Sequence, residues 1–147
     1  MNTHRKLMLL ATLYFSQGLP YGFWTQVLPP YLRKQDTSLV AIGAASLLTL
    51  PWALKFMWSP LVDRFGSQRF GRRRSWILPL QLLAILNLGL LTAVDPRSHL
   101  FVMCAAVMIT NLLAATQDIA TDAFAVDLLD PQERGLANGI QVAGYRV

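Results

Sequence analysis

Charge is what this sequence has least of. Asp, Glu, Lys and Arg make up 14% of its 147 residues, where a soluble domain carries about a quarter. The few charges are bunched, and the stretch from Leu7 to Leu32 holds none. As a helix that run would reach about 39 Å at about 1.5 Å per residue, more than the roughly 30 Å hydrocarbon core of a bilayer. A soluble globular domain is thereby excluded, and an all-α, polytopic membrane protein is expected, with the lipid bilayer as its main partner.

Cysteine is nearly absent. Cys104 stands alone in an apolar stretch, so no internal disulfide can form and packing is its expected role. His4 and His99 flank spans and cannot build a metal cluster with one thiol, so no metal or cofactor is expected. No nucleophile–base arrangement is evident, so no catalytic residue is assigned and an enzyme is not expected. The net charge of +5 and pI of 9.9 could suggest nucleic acid. Here, however, the basic residues sit beside apolar spans, where the positive-inside rule expects them, so no nucleic-acid partner is assigned. Met1 to Lys6 followed by an apolar run mimics a signal peptide. That run is about twice the usual length and no small-residue cleavage site follows, so it reads as a retained first span.

The apolar pattern predicts spans at about 7–32, 39–62, 75–94 and 100–121, with a partial fifth at 135–147. Lys55 is the one charge in the second. Pro79 falls in the expected first turn of the third, where a missing N–H costs little. In the first, Gln17 to Gly22 puts two glycines and a proline mid-membrane, either as a kink at a helix contact or as the lining of a cavity. Arg5 and Lys6 precede the first span, and Arg64, Arg69, Arg72, Arg73 and Arg74 join the second to the third. Arg33, Lys34, Asp36, Asp95 and Arg97 on the other side nearly balance. The N-terminus and the arginine hairpin are therefore expected in the cytoplasm. The acidic connection from Asp127 to Arg134 departs from the pattern, although acids weigh little in this rule. Trp24, Trp52, Trp58 and Trp76 lie near span ends, as interfacial anchors would.

Lys55, Asp118, Asp122 and Arg146 fall within or at the edge of spans, each at a cost of roughly 2.5–3.5 kcal/mol at a helix centre, so they are expected to be paired. Counted from the cytoplasmic ends, Lys55, Asp118 and Arg146 lie about 12, 14 and 18 Å deep, roughly one layer. Asp118 and Asp122 share a helix face, with Gln117 adjacent. Lys55 and Arg146 are expected to neutralise these carboxylates, in a layer that either binds solute or relays protons, or else locks helices together as a static ion pair. The hairpin has two readings as well. It is a topology signal that needs only charge, or a shaped turn in which Asp63, the arginines, Asp127, Asp130 and Glu133 latch helices together.

D-R-F-G at Asp63–Gly66 and G-R-R-R at Gly71–Arg74, between a second and a third span, resemble the cytoplasmic motif of the major facilitator superfamily, G-x-x-x-D-[RK]-x-G-[RK]-[RK]. The chain departs from it at Ser59, where a glycine is usual, and by the insertion of Ser67 to Phe70. "LKFMWSPLVDRF", "FGRRRSWILPLQ" and "AATQDIATDAFAVDLL", with "QGLPYGF" near the start and "GYR" at the end, resemble the branch of muropeptide permeases of the AmpG type and acetyl-CoA transporters. The similarity runs along essentially the whole chain. It implies the N-terminal part of a fold of twelve or more helices in two six-helix halves, which rock about a central cavity.

The resemblance further implies a secondary transporter for bulky, polar, often anionic solutes such as a muropeptide or acetyl-CoA, with proton coupling. Asp63, Arg64, Gly66, Gly71, Arg72 and Arg73 take the cytoplasmic gating positions. Lys55, Gln117, Asp118 and Arg146 take the intramembrane polar positions, with Asp122 beside them on the solute or proton pathway. Such a protein is an integral, multi-pass membrane protein, of the inner membrane if bacterial. Only four spans and part of a fifth are present, so the chain is expected to be a truncated reading whose missing C-terminal half is required for transport. A membrane fragment without transport activity and an intramembrane enzyme are the competing readings.

Overall fold

The computed structural model describes residues 2–22, 25–26, 28–34, 38, 43, 45–93 and 99–146, without the side chains of 28, 31, 32, 100, 145 and 146. Every regular element among them is helical: α1 (Thr3–Gly22), α2 (Leu28–Lys34), α3 (Leu50–Leu54), α4 (Ser59–Arg64), α5 (Arg74–Thr92), α6 (Leu100–Leu128) and α7 (Arg134–Arg146).

The second apolar stretch is not one helix. Tight 3-10 turns at Leu47–Thr49 and Lys55–Met57 bracket α3, and α4 follows. Pro51 and Pro60 start the two short helices, at positions where an N–H is dispensable. Each proline leaves the carbonyl four residues back without its helical donor. The amide of Leu50 takes up Leu47 O, and the Ser59 hydroxyl reaches Phe56 O at 3.3 Å. Residues 39–42 and 44, the expected start of this span, lie outside the described residues.

Three other expectations shift. α1 runs through Gly18 and Pro20 and ends at Gly22, so the first break comes later than the Gln17–Gly22 motif suggested. Pro79 lies in the second turn of α5 rather than the first, because the helix begins at Arg74. α6 continues to Leu128 instead of ending near 121. Its run of good helix formers beyond Asp122 is uninterrupted until Pro131, and this brings Asp127 into the last turn.

α6 is the hub. Leu10 and Tyr14 of α1, Ala125 and Leu129 at its end and Ala137 of α7 form one core cluster. Val62 of α4, Ile77 of α5 and Ile119 and Ala120 of α6 form another. Two helices, Arg74–Thr92 and Phe101–Leu128, are long and apolar enough to cross a membrane. Only 11% of the first is buried within the chain. Leu78, Leu82, Ile85, Leu86 and Leu90 point away from the protein, an arrangement that suits lipid and not water.

Where lipid is the solvent, burying apolar surface does not draw helices together. Close packing and interhelical hydrogen bonds do, the latter at about 0.6–2 kcal/mol each. α6 carries such bonds toward every side. Asn87 of α5 donates to Thr110 Oγ1 and Ala106 O at 2.7 Å. Gln17 of α1 donates to Thr121 Oγ1 at 2.8 Å. The Trp52 and Trp58 indoles donate to Asn111 and Thr116 at 3.2 Å. These two half-buried tryptophans tie their segments to α6, and the half-buried Trp76 bonds Phe65 O through its indole. Trp24 lies outside the described residues.

Candidate functional site

Lys55 owes its position to the proline-bracketed break. From the 3-10 turn at Lys55–Met57 its side chain reaches across to α6 and pairs with Asp118. The Asp118 side chain is 2% exposed and that of Lys55 34%, so the carboxylate is the buried partner and the ammonium opens on a cavity. That cavity, about 560 Å³, is lined by Tyr21, Thr49, Trp52, Lys55, Asp118 and Gln141. The ammonium stands 5.7 Å over the Trp52 ring, and the Tyr21 ring lies 4.9 Å from the same indole. A cation beside two aromatic faces can grip an anionic group while the rings cover an apolar or sugar surface.

Asp122 follows one turn later, half-buried. Its Oδ1 accepts from Tyr14 Oη and Gln141 Nε2, both at 2.9 Å. It borders two further cavities, one with Tyr14, Arg134 and Gln141 and the other with Lys55 and Asp63. Thus α6 presents two carboxylates on one face: Asp118 held by a cation, Asp122 by neutral donors from α1 and α7.

Gln117 is buried too, but it turns away from Lys55. One residue is about 100° around a helix, and Gln117 lines a separate cavity between α1 and α5 with Gln17, Gln81 and Thr110. The Arg146 side chain lies outside the description, so its expected pairing with these carboxylates does too.

At the hairpin, Arg73 Nη1 lies 2.7 Å from Asp63 Oδ1 and its Nε 3.1 Å from Asp127 Oδ2. Burial would lower the pKa of this guanidinium, but the bonds to Asp127 and Asp63 outweigh that and raise it. Arg64, Arg69, Arg72 and Arg74 are exposed. The turn is shaped: Gly71 has φ +86°, and a Cβ on Gly66 would meet Arg72 O at 2.7 Å. Ser75 Oγ accepts from Ser67 N at 3.1 Å and donates to Arg72 O at 2.8 Å. Asp130 and Glu133, expected to face the hairpin, instead meet Lys6, at 3.3 and 3.1 Å. Loop geometry turns them toward the start of α1, where the Thr3 hydroxyl also donates to Glu133.

The sequence reads Trp52 only as an interfacial anchor and Lys6 only as a topology signal, and does not pick out Tyr14, Tyr21 or Gln141. A signal existed for one group: Leu10, Tyr14, Gln17 and Tyr21 recur at helical spacing. Gln141 had none beyond being polar in an apolar segment.

The family model described as acetyl-coenzyme A transporter 1 matches residues 6–147. The chain belongs to the acetyl-coenzyme A transporter 1 family. Relatives of this family member include an uncharacterized protein of Haemophilus influenzae, 36% identical over 143 residues, or 97% of this chain and 34% of that protein. The anhydromuropeptide permease of Escherichia coli is 35% identical over 139 residues, 95% of this chain and 28% of the permease. An uncharacterized membrane protein of Saccharomyces cerevisiae is 33% identical over 162 residues, 95% of this chain and 29% of that protein. The chain thus spans about a third or less of the curated relatives it matches. Membership of a transporter family accords with the two helices that are long and apolar enough to cross a membrane.

Proposed function

We propose that this chain forms the N-terminal part of a secondary active, proton-coupled transporter with the two-halved, twelve-helix architecture of the major facilitator superfamily. It carries a bulky anionic solute of the muropeptide or acetyl-CoA kind. The observation that carries this reading is the Lys55 side chain, about a third exposed at a cavity beside Trp52 and Tyr21, with its counter-ion buried.

The mechanism follows from competition for that ammonium. With the cavity empty, Lys55 neutralises Asp118. An arriving phosphate or carboxylate takes over the lysine, leaving a buried carboxylate whose charge is then costly. Taking up a proton at this layer restores neutrality, so solute and proton enter together. Asp122, one turn away and held by Tyr14 and Gln141, is the neighbouring station for that proton. Asp63, Arg64, Gly66, Gly71, Arg72 and Arg73 gate the cytoplasmic end, where the Asp63–Arg73–Asp127 bridge ties α4, the start of α5 and α6 into one unit. The N-terminus and hairpin face the cytoplasm, in the inner membrane if the cell is bacterial. The halves rock against one another only when the remaining two thirds or so of the relatives' length is supplied.

Uptake into proteoliposomes by the full-length protein, with and without an imposed proton gradient, is the test. Gradient-driven accumulation of the anionic solute is expected. Uptake that ignores the gradient removes the coupling, and uptake of neutral solutes alone removes the role of Lys55.

A further inference from the structure

The arginine hairpin holds more charge than its bridge uses. Arg73 is committed to Asp63 and Asp127, while Arg69, Arg72 and Arg74 are exposed and have no carboxylate partner among the described residues. The three surround a cavity of about 460 Å³ that also includes Phe70, Arg73, Phe124 and Asp127. Asp127 is its one acidic group, and Arg73 already holds that carboxylate.

A topology signal needs charge but no order. Here Gly66 fits against Arg72 with no room for a Cβ, Gly71 adopts a left-handed φ and Trp76 fastens Phe65 O. The backbone of the turn is therefore shaped, and it brings the three arginines to one cavity. Arg74 opens α5, whose outward face is leucine and isoleucine, so in a bilayer the hairpin would stand where acyl chains give way to headgroups. Phe65 and Phe70 are 56% and 72% exposed, unfavourable in water and suited to that boundary.

We infer that the pocket formed by Arg69, Arg72 and Arg74 binds the phosphate of an anionic phospholipid headgroup, with Phe65 and Phe70 dipping toward the acyl chains. Guanidinium groups bind phosphate oxygens through paired N–H donors, and basic clusters just outside a membrane helix attract anionic lipid. A bound lipid would brace the start of α5 beside the Asp63–Arg73–Asp127 bridge. The inference rests on the chain's place in a membrane and not on solute or coupling.

The test uses full-length protein in neutral detergent with equal amounts of phosphatidylglycerol and phosphatidylcholine, read by native mass spectrometry. Preferential retention of phosphatidylglycerol is expected, falling about fivefold for each arginine changed among Arg69→Gln, Arg72→Gln and Arg74→Gln. Arg5→Gln with Arg33→Gln, which removes charge elsewhere, is expected to leave retention unchanged. Equal retention of both lipids by the unaltered protein overturns the proposal, whether or not the variants fold. So does equal loss on removing Arg5 and Arg33, which would mean unspecific charge. Displacement of the lipid by millimolar inorganic phosphate overturns it in favour of a soluble anion, and retention only of an acidic polypeptide in favour of a protein partner. Uptake measured in phosphatidylcholine alone reports transport separately, so failure of one reading does not imply failure of the other.

Discussion

Gly144 of α7 crosses α1 so closely that a Cβ at that position would lie 3.2 Å from the carbonyl carbon and the Cβ of Tyr14. Tyr14 is the residue that holds Asp122, so this crossing sets the distance between the α7 backbone and the polar layer. A glycine five residues earlier on the same helix, Gly139, has nothing within 4 Å of a built Cβ. The two should respond oppositely to added bulk. Gly139→Ala is expected to raise stability by about 0.5–1 kcal/mol through helix propensity. Gly144→Val is expected to cost about 1–3 kcal/mol, because the Tyr14 backbone cannot move aside. Thermal unfolding in detergent measures both, and a Gly144→Val variant of undiminished stability would contradict the assigned crossing.

Lys55 and Asp118 are unequal partners, and their variants should differ accordingly. Lys55→Met removes the cation paired with a fully buried carboxylate and is expected to fall within the range of about 3–5 kcal/mol seen on breaking a buried pair. Asp118→Asn leaves an ammonium that can turn to its cavity, so a smaller loss is expected. Exchange of the two charges should recover part of what the single changes remove. A double-mutant cycle on melting temperature checks this; zero coupling, with the swap no better than either single variant, would show that the two do not act as a pair.

The polar layer was legible in the sequence to the extent that depth could be counted. Lys55 and Asp118 stand nearly equal distances from the ends of their segments, and intramembrane charges seek partners. Asp63 was legible from its place before the arginines. Selecting Arg73 among five arginines was not, since charge pattern cannot tell which guanidinium the turn aims inward. The sequence read Lys6 as a topology signal, and its bond to Glu133 depends on a loop direction that no periodicity encodes. Gln117 was grouped with Asp118 because they adjoin, although adjacent helical residues face different neighbours. The fracture at Pro51 and Pro60 was not read, because the apolar run, interrupted only by Lys55, suggested one span.

The Lys6–Glu133 contact gives a pH dependence with a definite sign. The Glu133 carboxyl is lowered from 4.5, first by the Thr3 hydroxyl and then by Lys6. Lys6 is raised from 10.5, first by Glu133 with burial opposing, then by Asp130. The carboxylate contribution is therefore full above 4.5 and lost as pH falls through the lowered value. The lysine contribution is full below 10.5 and lost as pH rises through the raised value. The Tm difference between the unaltered protein and Glu133→Gln should stay level across the neutral range and close in acid. A difference that grows as pH falls below 4.5 would have the wrong sign for this contact.

The claim beneath all of these is that the helices cross a bilayer with the arginine hairpin on the inner side. Single cysteines placed at Ser67 in the hairpin and at His99 before α6, in a Cys104→Ser background, test it directly with a membrane-impermeant thiol reagent. In intact cells His99→Cys should label and Ser67→Cys should not, with Ser67→Cys labelling once the membrane is opened. Labelling of Ser67→Cys in sealed cells, with His99→Cys protected, would contradict the account.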